Sequence, residues 1–344
     1  MPSPSPSRAA GLFASSTPRS VVVFRALHLG DLLCCVPALR ALRRALPASR
    51  ITLLGLPSAA AFAKRFRAYV DGFIPFAGYP GLPEQPVPAP VDLFAFFAGM
   101  RVRRFDLALQ LHGSGRVTNG IVRRLGARRM GGFHPDGQAC PDPASFIAYP
   151  EHEHEIRRNL RLVEFLGAPA SGAELEFPLT DADHAEAAAV PGVSQLVPGG
   201  YACLHPGARS ADKRWPAERF AAIGDMLHDA GLEVVLTGSE AETTITGAVA
   251  KAMRRPPLDT AGPIGIGALA AIVAGARLVV CNDTGVSHVA AALRVPSVVI
   301  FFATDPQRWA PLDRTRHRVV SRPGGVAVEP VLAECATLLA RYPE

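Results

Sequence analysis

The sequence lacks the features that mark several common classes of protein. Its six cysteines are scattered, with no pair at the spacing of a metal site, which favours a reducing cytoplasm over a disulfide framework. No stretch reaches the roughly 18 apolar residues of a membrane span. A phosphate-binding P-loop is missing, and Thr118 stands where a dinucleotide fingerprint beginning at Gly113-Ser114-Gly115 needs its third glycine. A P-loop enzyme and a dinucleotide-dependent oxidoreductase are therefore disfavoured.

The composition is that of a protein with enough apolar residues to bury two cores. The chain has 344 residues, of which 49% are hydrophobic and 19% charged. This length suits two domains of roughly 150 residues each. Residues 1–19 are rich in Pro and Ser and lack the apolar core of a signal peptide, so they are predicted to be a disordered leader.

The charge is divided unevenly between the two halves of the chain. Residues 1–172 carry 21 Lys and Arg against 11 Asp and Glu, whereas residues 173–344 carry 15 against 19. The basic half indicates either an acidic partner or a surface made soluble by arginine. Nucleic acid is disfavoured as the partner, because the basic residues are not interleaved with aromatic residues and no binding motif occurs.

Strand and helix patterns alternate along both halves, which predicts an α/β protein with two parallel sheets. A ligand is then expected in the cleft between the domains, beyond the carboxyl ends of the strands. A single helix is predicted over Leu32–Leu46, and Ala168–Gly200 is predicted to contain the domain junction. The strands are predicted at residues 20–25, 51–56, 72–76, 106–111, 201–205, 233–237, 258–261, 278–281 and 297–302.

Asp31 is the first candidate for chemistry, in the segment Leu29-Gly30-Asp31 between the first strand and its helix. At the carboxyl edge of a parallel sheet it could take a proton from an attacking hydroxyl. An Asp directly before a helix is equally well explained as an ordinary N-cap.

The second candidate is the loop from His205 to Pro216, which follows the first strand of the second half. Gly207, Arg209, Ser210 and Lys213 could together hold a diphosphate, with the two cations neutralising its charge. The alternative is a solvated basic loop.

The third candidate is the segment Cys281–His288, where a strand passes into a helix. Free amides at a helix N-terminus bind anions, and Gly285 permits close approach of the backbone. Thr284 adds a hydroxyl and His288 lies one turn further on the same face, while Asp283 is interpreted as capping the helix or orienting its neighbours. The alternative is a capped helix with a buried histidine.

Three further groups of polar residues are weaker candidates. Glu240 or Glu242 could accept hydrogen bonds from a ribose, although the helix dipole explains both equally well. The run His152-Glu153-His154-Glu155 resembles a metal cluster, but its place at a helix start favours a solvated acidic turn, and no metal site is predicted. His112 and Arg116 offer a polar surface at a strand end.

In their residues and in their order along the chain, these motifs resemble those of glycosyltransferase family 9, the lipopolysaccharide heptosyltransferase family. The resemblance covers about residues 20–312 in family order. It rests on Leu29-Gly30-Asp31 with Val36-Pro37-Ala38-Leu39-Arg40-Ala41-Leu42, His205-Pro206-Gly207 with Lys213-Arg214-Trp215-Pro216, Thr237-Gly238, Asn282-Asp283-Thr284-Gly285 with His288, and Thr304-Asp305-Pro306 with Trp309. His28, before Leu29, departs from the small or hydroxyl residues common in the family.

The resemblance implies a GT-B architecture of two Rossmann-like domains, spanning residues 20–175 and 176–328. It implies that the last segment, 329–344, is a helix that packs back toward the N-terminal domain. It also implies Asp31 as general base, Lys213 at the donor phosphate, Asp283, Thr284, Gly285 and His288 at the nucleotide sugar, and Glu240 or Glu242 near the nucleoside. His28, His112 and Arg116 are then candidates for the acceptor side.

The expected function is therefore metal-independent, inverting transfer of a sugar, heptose from ADP-heptose, onto a lipopolysaccharide core or related glycan. No cofactor is expected beyond the nucleotide-sugar donor, which is a substrate. The basic first half fits an anionic glycolipid acceptor and a peripheral contact of this cytoplasmic protein with the inner face of the membrane. The alternatives are a sugar-nucleotide epimerase of the same fold and a non-catalytic nucleotide-sugar-binding protein.

Overall fold

The computed structural model describes residues 12–15, 17–322 and 325–343. The chain divides into two compact units between Glu174 and Leu175, next to the predicted domain boundary. Each unit has one parallel sheet of six strands. Among the described residues, no helix has the length and apolarity needed to cross a bilayer.

The described part of the first unit has six strands and seven α-helices. Its strands are β1 (Ser20–Phe24), β2 (Arg50–Gly55), β3 (Gly72–Pro75), β4 (Leu107–Gln110), β5 (Arg129–His134) and β6 (Phe146–Ala148). Its helices are α1 (Leu12–Ser15), α2 (Leu29–Leu33), α3 (Val36–Ala45), α4 (Ala60–Arg65), α5 (Pro90–Val102), α6 (Thr118–Arg124) and α7 (Glu155–Phe165).

The second unit repeats the same plan. Its strands are β7 (Tyr201–His205), β8 (Glu233–Leu236), β9 (Leu258–Asp259), β10 (Leu278–Asn282), β11 (Ser297–Phe301) and β12 (His317–Ser321). Its helices are α8 (Asp181–Ala189), α9 (Ala217–Asp229), α10 (Thr243–Ala252), α11 (Ile266–Ala274), α12 (Gly285–Ala292), α13 (Pro306–Trp309) and α14 (Val328–Arg341).

The two sheets have the same strand order. It runs β3-β2-β1-β4-β5-β6 in the first unit and β12-β11-β10-β7-β8-β9 in the second. In both units the first strand pairs with the second on one side and with the fourth on the other, which is the doubly wound order of Rossmann-like domains. Strands β1, β10 and β11 are rich in β-branched residues and almost entirely buried, as strands of a parallel sheet covered on both faces are.

The predicted helix Leu32–Leu46 is wrong, because the chain forms two helices there. Helix α2 ends at Leu33, and α3 begins at Val36 after a turn at Cys34 and Cys35. Pro37 is the cause: it has no amide hydrogen to donate and is tolerated only in the first turn of a helix, which is where α3 places it.

Outside the predicted leader, five described strands and α-helices lie where no regular structure was predicted. Strand β5 has Gly131 and Gly132 in its middle, and a Cβ at Gly132 would lie 2.8 Å from Cβ of Gln110 on β4. The glycines therefore make room for a neighbouring side chain and remove the apolar run by which strands are recognised. The other four are the strands β6 and β12 and the helices α8 and α13, of which α8 lies inside the predicted junction.

The leader prediction is wrong for the residues that the structure describes around Leu12. These form the helical turn α1, with Leu12 and Phe13 buried and the Phe13 amide donating to the carbonyl of Leu166 at 3.1 Å. Residues 1–11 and 16 lie outside the described part. Helix α14 packs on α9, β10, β11 and β12 of its own unit. Its predicted packing toward the first domain stays a prediction.

Candidate active site

The predicted site residues other than Glu240 and Glu242, which follow β8, come after the two strands between which each sheet reverses its winding. These strands are β1 and β4 in the first unit, and β7 and β10 in the second. Crossover connections leave in opposite directions from such a pair, so the carboxyl ends stay open to a ligand. Each unit therefore has one natural binding position, and the sequence motifs lie at both.

In the second unit, Asn282 joins the segments that follow β7 and β10. It is fully buried, and its Nδ2 donates to the carbonyls of Pro206 at 2.8 Å and Gly207 at 3.4 Å. Its Oδ1 accepts the amide of Trp215 at 3.1 Å. The sequence motif that contains Asn282 does not by itself indicate a role for it. The structure shows that it fixes the loop that begins at His205.

Asp283 brings a cation and a hydroxyl together beside this loop. Its Oδ2 accepts hydrogen bonds from Lys213 Nζ at 2.9 Å and from Thr304 Oγ1 at 2.5 Å. Asp283 is buried, while the Lys213 side chain keeps 29% of its surface exposed. The ammonium is therefore held at the surface of the site by a carboxylate behind it. Such an arrangement suits recognition of an anion.

Thr284, and not Asp283, caps helix α12. The Thr284 hydroxyl accepts the amide of Val286 at 3.2 Å, so the interpretation of Asp283 as a helix cap is wrong and its role as an orienting group remains. Because the Val286 amide already donates to Thr284, it is not free to bind an anion. Fewer amides at this helix start are therefore open to a ligand than the sequence predicts. His288 is buried, and Gly285 is the first residue of the helix.

Glu242 lies against Gly207, whereas Glu240 is exposed. A Cβ at Gly207 would stand 2.1 Å from Glu242 Oε1, so only glycine leaves room for this carboxylate. Burial raises the pKa of Glu242, but hydrogen bonds from Ser239 and the nearby His205 outweigh it and leave that pKa below its usual value. A charged carboxylate is therefore held beside the loop.

Arg209 and Ser210 lie on the outer part of the same loop. Both are exposed, and the Ser210 hydroxyl donates to Asp212. His205, at the end of β7, is buried with Nδ1 3.0 Å from Thr237 Oγ1, and burial lowers its pKa. The structure thus gathers Gly207, Lys213, Glu242 and Asp283 around the ends of β7 and β10. Arg209, Ser210 and Glu240 are on the solvent side.

In the first unit, Asp31 is the third residue of α2. His28 occupies the N-cap position without a side-chain hydrogen bond, so the interpretation of Asp31 as the N-cap is wrong. Burial raises the pKa of Asp31 above its usual value, and the charge of Glu155 adds to this. Arg25, His112 and a hydrogen bond from the His28 backbone lower that pKa without reversing the shift. The arrangement suits a general base.

Arg25 connects Asp31 to the rest of the first unit. It follows β1 directly, is 1% exposed, and donates from Nε to the carbonyl of Asp31 at 2.9 Å. Its Nη1 donates to the Leu111 carbonyl after β4 and to Asn159 Oδ1 at 3.3 Å, and its Nη2 donates to Glu155 Oε1 at 3.0 Å. One guanidinium therefore ties α2, β4 and α7 together. Sequence reasoning missed it, because it reads as the last residue of a strand.

Glu155 is shared by two buried arginines. Its Oε1 pairs with Arg25 and its Oε2 with Arg158, whose ring-stacked guanidinium lies 4.3 Å from the centre of the Tyr149 ring. The prediction of a solvated turn at His152–Glu155 is therefore wrong for His154 and Glu155, which are buried. Glu153 fits it better, since it pairs with the exposed Arg161 at 2.6 Å.

The acceptor candidates lie after β1 and β4. His112 is buried and stacked on Phe24, with Nδ1 accepting the Ala26 amide at 3.3 Å and Nε2 3.7 Å from Glu84 Oε1. Burial raises the pKa of Glu84, but His112 and His28 leave it below its usual value. Arg116 is exposed on the loop after β4. Glu84 comes from a Pro/Gly-rich loop, and no motif marked it.

The fold defines a protein of two Rossmann-like domains with polar residues at the open strand ends, and the comparisons with known proteins identify it as a glycosyltransferase. Residues 93–325 match glycosyltransferase family 9 (heptosyltransferase). The chain belongs to this family. Lipopolysaccharide heptosyltransferase 1 of Escherichia coli O18:K1:H7 is 24% identical over 288 residues, 83% of this chain and 86% of that protein. Lipopolysaccharide heptosyltransferase 3 of E. coli is 33% identical over 114 residues, only 34% of its length.

Solved structures show the same GT-B fold. The glycosyl transferase family 9 protein of Veillonella parvula aligns with a TM-score of 0.78 at 21% identity, covering 94% of this chain and 98% of that one. ADP-heptose lps heptosyltransferase II of E. coli aligns at 0.72 and 19%, covering 94% and 99%. The E. coli heptosyltransferase WaaC with ADP-2-deoxy-2-fluoro heptose aligns at 0.66 and 21%, covering 94% and 99%.

The neighbouring residues Glu153 and Glu155 give a matched test of the buried cluster. Glu155→Gln leaves two buried guanidinium groups without their carboxylate, so we expect it to lower the free energy of unfolding by about 3–5 kcal/mol. Glu153→Gln, in an exposed pair, is expected to lower it by about 1 kcal/mol or less. Urea unfolding followed by circular dichroism measures both, and equal losses would contradict the cluster described here.

Proposed function

We propose that this glycosyltransferase moves a heptose from ADP-heptose onto a lipopolysaccharide core or related glycan, with inversion and without a metal ion. The observation that carries the proposal is the cluster of Lys213, Asp283 and Thr304 beside the loop that Asn282 fixes. A held cation at the winding reversal of a Rossmann-like domain suits the diphosphate of a nucleotide sugar. The family and the ADP-sugar complex of WaaC support heptose and ADP.

The donor is assigned to the second unit. Lys213 pairs with the diphosphate, together with the exposed Arg209 and Ser210 and the start of α12 at Thr284 and Gly285. Glu242 accepts hydrogen bonds from the nucleoside, because it lies beside Gly207 while Glu240 points to solvent. His288, in the first turn of α12, is assigned to the same donor site and is buried. These cations stabilise the charge that develops on the departing nucleoside diphosphate.

The reaction is a single displacement. Asp31 takes the proton of the acceptor hydroxyl, and the oxygen attacks the anomeric carbon from the side opposite the diphosphate. The raised pKa of Asp31 makes this carboxylate a stronger base than an exposed one. His28, His112 and Arg116 are assigned to the acceptor. Charge on the leaving diphosphate is met by side chains, so no step requires a metal ion or another cofactor.

The acceptor is expected to be anionic, and the protein to work in the cytoplasm at the inner face of the cytoplasmic membrane. The support is the excess of ten positive charges in residues 1–172. Nucleic acid has no corresponding motif. Membership of glycosyltransferase family 9 disfavours the two alternatives, a sugar-nucleotide epimerase and a non-catalytic binding protein. An epimerase would consume donor without any acceptor, and a binding protein would be indifferent to the loss of Asp31.

A panel of ADP-, GDP- and UDP-sugars tests the donor. We expect the ADP-sugars to raise the Tm most, because ligand binding to the folded state stabilises it. The shift should persist in excess chelator and shrink in Lys213→Gln, which removes the phosphate contact. A larger shift with a GDP- or UDP-sugar would reject ADP as the nucleotide.

Asp31→Asn tests the general base. Transfer is expected to fall by about 10²–10⁴-fold while donor stabilisation is retained, since the amide cannot accept the proton. Asp136→Asn, on an exposed loop, is the control and should transfer normally.

The pH dependence follows from the same carboxyl group. Only the ionised form accepts a proton, so transfer should rise as pH increases through the pKa of Asp31. Because that pKa is raised, the acidic limb of kcat/KM should lie above the usual carboxyl range of about 4. Normal transfer by Asp31→Asn would exclude the proposed role.

Acceptor binding should weaken as salt is added, because exposed charges are screened beyond a Debye length of about 8 Å at physiological ionic strength. Acceptor KM measured over a range of sodium chloride concentrations checks this, with the donor KM as internal control. A KM that stays constant would remove the electrostatic argument for an anionic acceptor.

A further inference from the structure

Helix α5 is apolar on its outer side as well as on its inner side. Phe97 and Met100 are buried in the core of the first unit. On the other side, Val91 is 71% exposed, Phe94 73% and Val102 79%. A helix that is hydrophobic all round normally lies in an apolar environment on every side. The protein provides an apolar environment only for the inner side of α5, where Phe97 and Met100 lie.

The exposed residues form one continuous line along the helix. Val91, Phe94, Ala95 and Val102, together with the half-buried Ala98, follow the i, i+3, i+4, i+7 spacing of a single helix face, and we call them the outer stripe. Val87, in the preceding loop, is also exposed. Four of the six most exposed large hydrophobic side chains in the described chain therefore lie within residues 87–102.

Positive charge surrounds the C-terminal end of the outer stripe. Arg101, Arg103 and Arg104 are all exposed there. Arg124, at the end of α6, lies 5.5 Å over the Tyr79 ring, which in turn contacts Phe97 of α5 at 6.1 Å between ring centres. Across residues 90–124 the sequence has six arginines and only two acidic residues, Asp92 and Asp106.

An apolar stripe beside clustered arginines fits a surface that has an apolar interior and an anionic face. An anionic bilayer offers both: acyl chains take up the apolar side chains and headgroups pair with the guanidinium groups. We propose that the outer stripe of α5 lies on an anionic lipid bilayer, with Phe94 below the headgroups and Arg101, Arg103 and Arg104 among them. This deepens the membrane contact of the proposed function and rests on it for the choice of a bilayer.

Co-sedimentation with lipid vesicles tests the docking surface on the full chain. The protein should bind vesicles of phosphatidylglycerol and phosphatidylcholine in equal parts, and bind phosphatidylcholine vesicles weakly. Phe94→Ser with Val102→Ser should lower the affinity by about tenfold or more, because two large side chains no longer enter the bilayer. Val197→Ser is the matched control: Val197 is 69% exposed but lies in the second unit.

Replacement of the arginines tests the electrostatic part of the proposal in the same vesicle experiment. Changing Arg101, Arg103 and Arg104 together to Gln should lower the affinity for the anionic vesicles by about a hundredfold, since each basic residue near the surface contributes roughly 1 kcal/mol. Added salt should weaken the binding of the unchanged protein and have less effect on this variant. Equal binding to neutral and anionic vesicles would overturn the proposal.

A tryptophan placed in the stripe locates it directly. In Phe94→Trp, vesicles carrying bromine on the acyl chains should quench the added fluorescence beyond that of the native Trp215 and Trp309. Val197→Trp should show no such quenching. An absence of quenching at position 94 would overturn the proposal, as would a sedimentation velocity series in which Phe94→Ser abolishes a dimer that forms without lipid.

Failure of the proposed membrane contact can be distinguished from failure of the proposed reaction. The serine variants lie outside the donor residues, so an ADP-sugar should raise their Tm as it does for the unchanged protein. Loss of vesicle binding with this shift retained supports the docking surface. If an ADP-sugar raises the Tm of neither the unchanged protein nor any variant, the proposed donor is contradicted, but the vesicle result still holds.

Discussion

The reversal of winding in each parallel sheet determines where the polar residues of this protein can meet a ligand. Crossovers must run right-handed, so the first and fourth strands of each unit send their connections to opposite sides and leave their carboxyl ends uncovered. The backbone groups and side chains at these ends then need partners. Buried Asn282 supplies them in the second unit, and the Arg25–Glu155–Arg158 cluster supplies them in the first.

Much of the fold could be predicted from short apolar runs. Ser20–Phe24, Leu278–Asn282 and Ser297–Phe301 are strands because their β-branched residues fit a sheet covered on both faces. Elements shaped by a neighbour were missed. Strand β5 carries glycines because Gln110 of β4 needs the space, and nothing within β5 itself indicates that need.

For the candidate site, too, the sequence predicts where the polar residues lie but not which role each of them has. The motifs around Lys213 and Asp283 were correctly placed at strand ends, since topology alone fixes that position. Which group would cap the helix and which would bind the lysine depended on contacts across 70 positions of sequence. Glu155 was assigned to a solvated turn for the same reason, because its partner Arg25 is 130 positions away. The helix and strand propensities of a short segment do not indicate pairings between residues so far apart in the sequence.

The ion pair of Lys213 and Asp283 has a consequence for the cycle of binding and release. Without a ligand the ammonium already has a charged partner, so in the proposed reaction an incoming diphosphate adds a second anionic neighbour to a cation that is already partly neutralised. The attraction of the ammonium for the diphosphate is then weaker than that of an unpaired cation. When the spent nucleotide leaves, the same carboxylate keeps Lys213 in position, so the site of the proposed reaction does not have to rebuild itself between turnovers.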